Sequence, residues 1–235
     1  MNKNFIRVCM WLCALCVAMA SCGGGFAPIE PSAETVQKQY SYNQIRGISV
    51  ANEIIVDYRP AEQENQIVVT GPENVVEVLQ IKEEPGGLLY IEIPGRYKFQ
   101  YTSDSQRLHI QVSAAELRYL KAMSSAVVNV LDTLRTVHEM KVEAFSDSRI
   151  TFKSIQAPEV EFTAYTGADI TAHLQSNQCT IQSHTGSSVS VSGITSQLSL
   201  TAASASVDAS SLDYEKLEQT SMQGGKVLLK NETGK

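Results

Sequence analysis

The residues equipped for catalysis or metal binding are scattered. His109, His138, His173 and His184 show no His-x-x-x-His or Cys/His spacing that would set two zinc ligands side by side. Calcium-binding β-rolls need Gly-Gly-x-Gly-x-Asp, and the nearest approach is a lone Thr166-Gly-Ala-Asp169. No Gly-x-Ser-x-Gly presents a nucleophilic serine. Glycan cleavage asks for converging carboxylates, with a cation to neutralise an acidic substrate. The acids Asp147 and Asp169 sit at different offsets in the chain's repeat, and Arg149 is placed to pair with one of them. These residues predict no enzyme, no metal site and no cofactor.

Recognition chemistry is better represented. Tyr97, Phe99 and Tyr101 alternate along Arg96-Tyr-Lys-Phe-Gln-Tyr, so three rings are expected on one strand face. Such a face suits stacking on sugars, and it equally suits packing over an open end of the fold. Serine and threonine recur in phase with core residues, where hydroxyls are expected to satisfy one another and the backbone.

The amino terminus sets the compartment. Lys3 and Arg7 are followed by an apolar run to Ala20, too short to span a bilayer comfortably and bounded by small residues, which reads as an export signal over 1–21. Met19-Ala20-Ser21-Cys22 resembles a bacterial lipobox, with Cys22 as the diacylated first residue of the mature chain and palmitate among its expected modifications. Cys9, Cys13 and Cys16 leave with the signal, so Cys179 is the one remaining thiol and no internal disulfide can form. Losing Lys3 and Arg7 takes the formal charge of −6 two units lower. So acidic a chain is unsuited to nucleic acid.

Beyond the signal, Gly23 to about Gln39 carries Pro28, Pro31 and Ser32 without apolar period and reads as part of a tether over 22–40. Short alternating runs then signal strands, among them Ile48-Ser-Val50, Leu89-Tyr-Ile91-Glu-Ile93 and Leu108-His-Ile110-Gln-Val112. The best helical candidate, Ala114 to Lys121, is short and reads as a turn. From Arg118 the chain repeats, with origins at Met140, Val160, Cys179, Leu198 and Leu217 spaced by 22, 20, 19, 19 and 19 residues. Each unit places large, large, small, hydroxyl, small and large residues on one face.

Strand periodicity inside a repeat of about 20 residues predicts an all-β, right-handed parallel β-solenoid with coils of about 19–22 residues. The runs Ser146-Asp-Ser148, Thr166-Gly-Ala168, Thr185-Gly-Ser187 and Ser204-Ala-Ser206 are expected to superpose at one corner. Equal offsets also pair Lys121 with Glu143, Lys141 with Glu161 and Arg149 with Asp169, each pair of opposite sign.

The chain resembles the putative auto-transporter adhesin, head GIN domain family of exported Bacteroidetes proteins. The resemblance rests on Ile45-Arg-Gly-Ile-Ser-Val-Ala-Asn-Glu-Ile-Ile-Val56, Pro72-Glu-Asn-Val-Val76, Gly86-Gly-Leu-Leu-Tyr-Ile-Glu-Ile93 and the small-residue repeats. The family implies an exported solenoid with a suggested role in adhesion, and it brings no catalytic residues. Its glycine corners survive at Thr166-Gly167 and Thr185-Gly186, but not at Ser124-Ser-Ala or Ser146-Asp-Ser. Asp132-Thr133-Leu134 resembles an acceptor for O-glycosylation in such proteins, at Thr133.

The organisation expected is a signal over 1–21, a tether over 22–40, an N-terminal β region over 41–115, the repetitive solenoid over 116–230 and a polar tail over 231–235. The function expected is an adhesin-like binding module lipid-anchored at Cys22 in the outer membrane, with a glycan or a cell-surface protein as partner. A structural or assembly lipoprotein facing the periplasm is the alternative, and a polysaccharide-processing enzyme ranks third.

Overall fold

A computed structural model describes residues 28–61 and 64–230. The expected signal, Cys22 and the polar tail lie outside these residues. The chain is 64% strand and 4% helix, arranged as a β-solenoid of about six turns. The strands are β1 (Thr35–Ser41), β2 (Gly47–Val50), β3 (Ile55–Pro60) and β4 (Gln66–Pro72), then helix α1 (Glu73–Val78), β5 (Gln80–Glu84), β6 (Leu88–Glu92) and β7 (His109–Ala114). The repeat follows as β8 (Tyr119–Ala122), β9 (Val127–Arg135), β10 (Met140–Phe145), β11 (Arg149–Gln156), β12 (Glu159–Tyr165), β13 (Asp169–His184), β14 (Ser188–Ala203), β15 (Ser206–Met222) and β16 (Lys226–Leu229).

Each turn has two walls. On wall A, Met140, Val160, Cys179, Leu198 and Leu217 stack in parallel register. The columns predicted from the repeat are present. Val142, Phe162, Ile181 and Leu200 align inside wall A, and Ile150, Ile170 and Val189 align inside wall B. All seven are at most 2% exposed. The three charge pairs also form, with Lys121–Glu143 at 3.9 Å, Lys141–Glu161 at 4.0 Å and Arg149–Asp169 at 3.5 Å. β13, β14 and β15 each serve wall B of one turn and wall A of the next without a break in the strand.

The corner between the walls turns on left-handed backbone. Ser124 and Ser125, Ser146 and Asp147, and Thr166 and Gly167 all have φ between 53° and 73°. That conformation is unfavourable for most L-residues, and interturn hydrogen bonds offset it here. Ser125 N–H donates to Ser146 O at 2.9 Å, Asp147 N–H to Thr166 O at 3.0 Å, and Gly167 N–H to Thr185 O at 3.2 Å. Gly167 adopts this conformation without a Cβ, which would lie 2.2 Å from Asp147 Oδ1, whereas Ser125 and Asp147 hold the equivalent place in their own turns. One expected superposition differs. The fifth turn loses its residue within the corner, where only Ser204 and Ala205 separate the walls, so Ser206 stacks on Ser188 rather than on Ser187.

The N-terminal layers run out of chain order. β8 continues onto β2 and then β6, while β9 continues onto β3 and then β7, all parallel. Antiparallel strands finish this end, with β5 on β6, β4 on β7 and β1 on β4. Helix α1 buries Val75 and Val76 there. The tether expected over 22–40 is therefore shorter than its sequence suggested. Ile29 bridges Phe99, and Thr35–Ser41 pairs along β4, because Val36 and Tyr40 pack against the core despite their polar neighbours. The opposite end is finished in part by side-chain polarity. Gln219 and Ser221 follow Leu200 and Ala202 in the inward columns, while Leu217, Val227 and Leu229 keep theirs apolar and partly exposed.

Candidate functional site

The segment from Pro94 to Leu108 leaves wall A and lies along the left-handed corner. Its rings share one side, as the alternation predicted, but residues 96–101 are irregular apart from a bridge at Phe99 and are not the strand that the sequence suggested. Tyr97, Phe99 and Tyr101 are half-buried against the core while Arg96, Lys98 and Gln100 are exposed. Phe99 and Tyr101 stack with centroids 6.1 Å apart, and the Arg96 guanidinium lies 4.8 Å from the Tyr97 ring centroid. The rings cover the flank of the solenoid, not an open end. Between them and the corner runs an open cleft of about 440 Å³, lined by Asn52, Glu53, Ser124, Ser125, Ser146 and Asp147 with the three rings. Burial, reinforced by Glu53 and opposed by Arg107, pushes the Tyr101 hydroxyl up to about 12.

A second aromatic feature was not anticipated. Phe145, Tyr165 and His184 each occupy the last outward position of wall A before the corner, in consecutive turns. Phe145 and Tyr165 lie 5.5 Å apart and 1° from parallel, while Tyr165 and His184 are 4.5 Å apart and 12° from parallel. Lys121 caps the far end, its ammonium 5.0 Å from the Phe145 centroid. The sequence signal was the spacing of 20 and 19 residues between these rings, visible only when the outward positions of each unit are read as carefully as the inward ones. Farther from the corner, the same wall carries Thr163, Gln182, Thr201 and Thr220 in one column, with Thr163 buried and the other three accessible. No Asp, Glu, Lys or Arg occurs between Asp169 and Asp208.

The in-phase hydroxyls are structural, as expected. Ser148 Oγ accepts from Phe145 N–H and donates to Ala122 O in the preceding turn, both at 3.0 Å. Ser187 Oγ likewise accepts from His184 N–H and lies 2.9 Å from Ala164 O. Among the described residues no buried side-chain polar atom lacks a partner.

The four histidines stay apart from one another. His109 lies 3.1 Å from Asp104 O, His138 is 3.3 Å from Glu116, and His173 meets Ser192 Oγ at 3.1 Å. No group of three or more His, Cys, Asp or Glu suited to a metal ion occurs among the described residues. Asp132 is held by Arg59 at 3.4 Å and Lys153 at 3.3 Å, and the adjoining Thr133 is half-buried within β9. Along the opposite corner runs a shallow groove with Val137, Ala157, Pro158 and Ile194 on its lining. No helix among the described residues is long and apolar enough to cross a membrane.

Comparison with known proteins gives one consistent fold. A putative adhesin from Bacteroides fragilis matches with a TM-score of 0.62 at 13% identity, covering 85% of this chain and 98% of its own. A putative lipid binding protein from Parabacteroides distasonis matches at 0.73 and 17% identity, covering 83% of this chain and 81% of its own. A putative adhesin from Parabacteroides merdae matches at 0.53 and 14% identity, over 86% of this chain and 98% of its own. No curated protein matches. The family model described as putative auto-transporter adhesin, head GIN domain, covers residues 44–232, and the chain belongs to that family.

Proposed function

We propose that this protein is a non-catalytic adhesin of the bacterial envelope, held to the outer membrane by lipid on Cys22 and binding through the surface of its solenoid. The observation that carries the reading is the outward face of wall A. Gln182, Thr201 and Thr220 form a neutral, solvent-accessible column that repeats at the interstrand spacing of about 4.8 Å, continuing from Thr163, which is buried. A flat array of that kind suits many shallow contacts to a polyhydroxylated ligand and does not suit a deep pocket. Clustering on a cell then supplies avidity, worth roughly 10²–10⁴ over one site. The family and the adhesin-named solenoids support the same class of role.

The test joins location to binding. Intact cells are treated with protease, and adhesion to immobilised glycans and matrix proteins is scored with wild type and Cys22→Ala. The proposal expects a surface-accessible protein, adhesion that depends on it, and loss of membrane attachment in the variant. Protection from protease on intact cells would favour the periplasm-facing structural role. Turnover of a purified glycan would replace both with an enzyme.

A further inference from the structure

The Phe145–Tyr165–His184 ladder stops two turns short of the last described one. The next position in register is Ala203, and the one after it is Met222. Tyr165 covers one face of the His184 ring, so the other face is turned toward the turn that carries Ala203. Two strand spacings, roughly 9.6 Å, separate the His184 and Met222 levels. The rings that do stack lie 4.5 and 5.5 Å apart, so this interval holds one ring with a contact on each side. His184 and Ala203 are partly exposed and Met222 is 50% exposed, so solvent reaches the slot.

The rim defines what fits. Beside Ala203 in the adjoining outward column lie Gln182, Thr201 and Thr220, in register across the same three turns. None of the three makes a side-chain hydrogen bond to another side chain among the described residues. A group entering the slot meets an aromatic face, a thioether and three neutral hydrogen-bonding side chains; the His184 and Ala203 levels lie in a stretch without Asp, Glu, Lys or Arg, and on the third level Glu218 adjoins Thr220.

We infer that the Ala203 slot is a binding site for one uncharged pyranose ring. The C–H groups on one face of such a ring carry partial positive charge and complement the negative face of an aromatic ring. Its hydroxyls meet the amide and hydroxyls of the rim, which an aromatic side chain from a protein partner would leave unsatisfied. An acidic sugar would meet Glu218 beside Thr220 and find no cation among the rim residues. The inference rests on the proposed binding role and names its ligand class.

The experiment uses the full chain in detergent micelles, with methyl glycosides of glucose, galactose and mannose as probes and saturation-transfer NMR as readout. Wild type is expected to transfer saturation to at least one glycoside, most strongly to the ring protons of one face. Ala203→Tyr should fill the slot and extend the ladder. Transfer is expected to fall at least tenfold, with a melting temperature equal to or above that of wild type. His184→Ala should weaken transfer by removing the stacking face, and Thr201→Val by removing a rim hydroxyl.

Three outcomes would overturn the site: no transfer from any of the three glycosides, unchanged transfer in folded Ala203→Tyr, or saturation of N-acetyltyrosinamide alone. Cell adhesion scored in parallel separates the two proposals. Adhesion that persists while the slot fails removes the site and leaves the adhesin standing, whereas a protein absent from the cell surface removes the adhesin and leaves the slot to be judged by NMR.

Discussion

Arg107 and Ser125 meet at the corner, where the Arg107 Nη2 donates to the Ser125 carbonyl at 2.9 Å. Its Nε donates to the carbonyl of Glu53, the corresponding corner residue one turn away, and its Nη1 reaches Asp104 Oδ1 at 3.1 Å. The corner's own interturn bonds use Ser124 O and Ser146 O, so Arg107 takes up carbonyls that the ladder leaves over. One side chain thus ties two turns to the aromatic segment. With its side chain 15% exposed, little water competes. Arg107→Ala is expected to cost about 2–3 kcal/mol in denaturant unfolding, and to expose the segment from Pro94 to Leu108 to limited proteolysis. Arg107→Lys should recover little, because an ammonium cannot reproduce the planar fork.

The aromatic segment itself should answer first in stability. Tyr97, Phe99 and Tyr101 pack against the core with only part of each ring in solvent. Replacing Tyr97 and Tyr101 together by Ala removes partly buried rings and should cost about 2–4 kcal/mol. A double variant with unchanged unfolding and reduced adhesion would show instead that the rings serve the ligand and not the fold.

How much of this was legible follows from what stacks on what. Residues such as Val142, Phe162 and Ile181 touch their own equivalents one turn away, so a parallel register is written into the sequence as a period. Arg149 and Asp169 add a charge signature to it. The N-terminal layers leave no such trace, because β2 lies between β6 and β8 and its neighbours are separated from it by an excursion through β4 and α1. Helix α1 is six residues long and rich in valine, which makes it look like a strand to any local measure; its place over the end of the stack decides otherwise. The slot at Ala203 was invisible for a different reason. Its meaning lies in a missing ring, and absence is informative only once the column is known.

The buried serines offer a test of the corner's economy. The position held by Ser148 is alanine in the next turn, Ala168, and serine again at Ser187. Ser148→Ala therefore leaves Phe145 N–H and Ala122 O without their present partner in a geometry that a neighbouring turn already tolerates with a methyl group. A cost near the low end of the range for a lost buried hydrogen bond, about 1 kcal/mol, is expected. Ser148→Leu should cost more, about 3 kcal/mol or above, because identical positions stack and the extra volume meets the turns on both sides. Chemical denaturation of the two variants measures the contrast, and equal costs would mean that hydrogen bonding and not crowding rules the corner.

Cys179 gives the fold an internal reporter. It is fully buried in the column between Val160 and Leu198, and burial pushes its thiol up to about 12. A thiol held neutral in this way is a poor nucleophile, so with Cys22 replaced by Ala and the signal removed, modification by a disulfide reagent at pH 8 should be slow and should follow unfolding of the last turns. The pH dependence has a definite sign. A group whose folded value is raised contributes stability that is present below its unfolded value and lost as pH rises through the folded one. For Cys179 that window runs from about 9 to about 12. Cys179→Val keeps an apolar side chain in the column and removes the titration, so its stability should fall less steeply than wild type across the same interval. Rapid modification of native protein at pH 8, or identical alkaline curves for the two proteins, would show that the turn containing Cys179 opens to solvent far more readily than its packing implies.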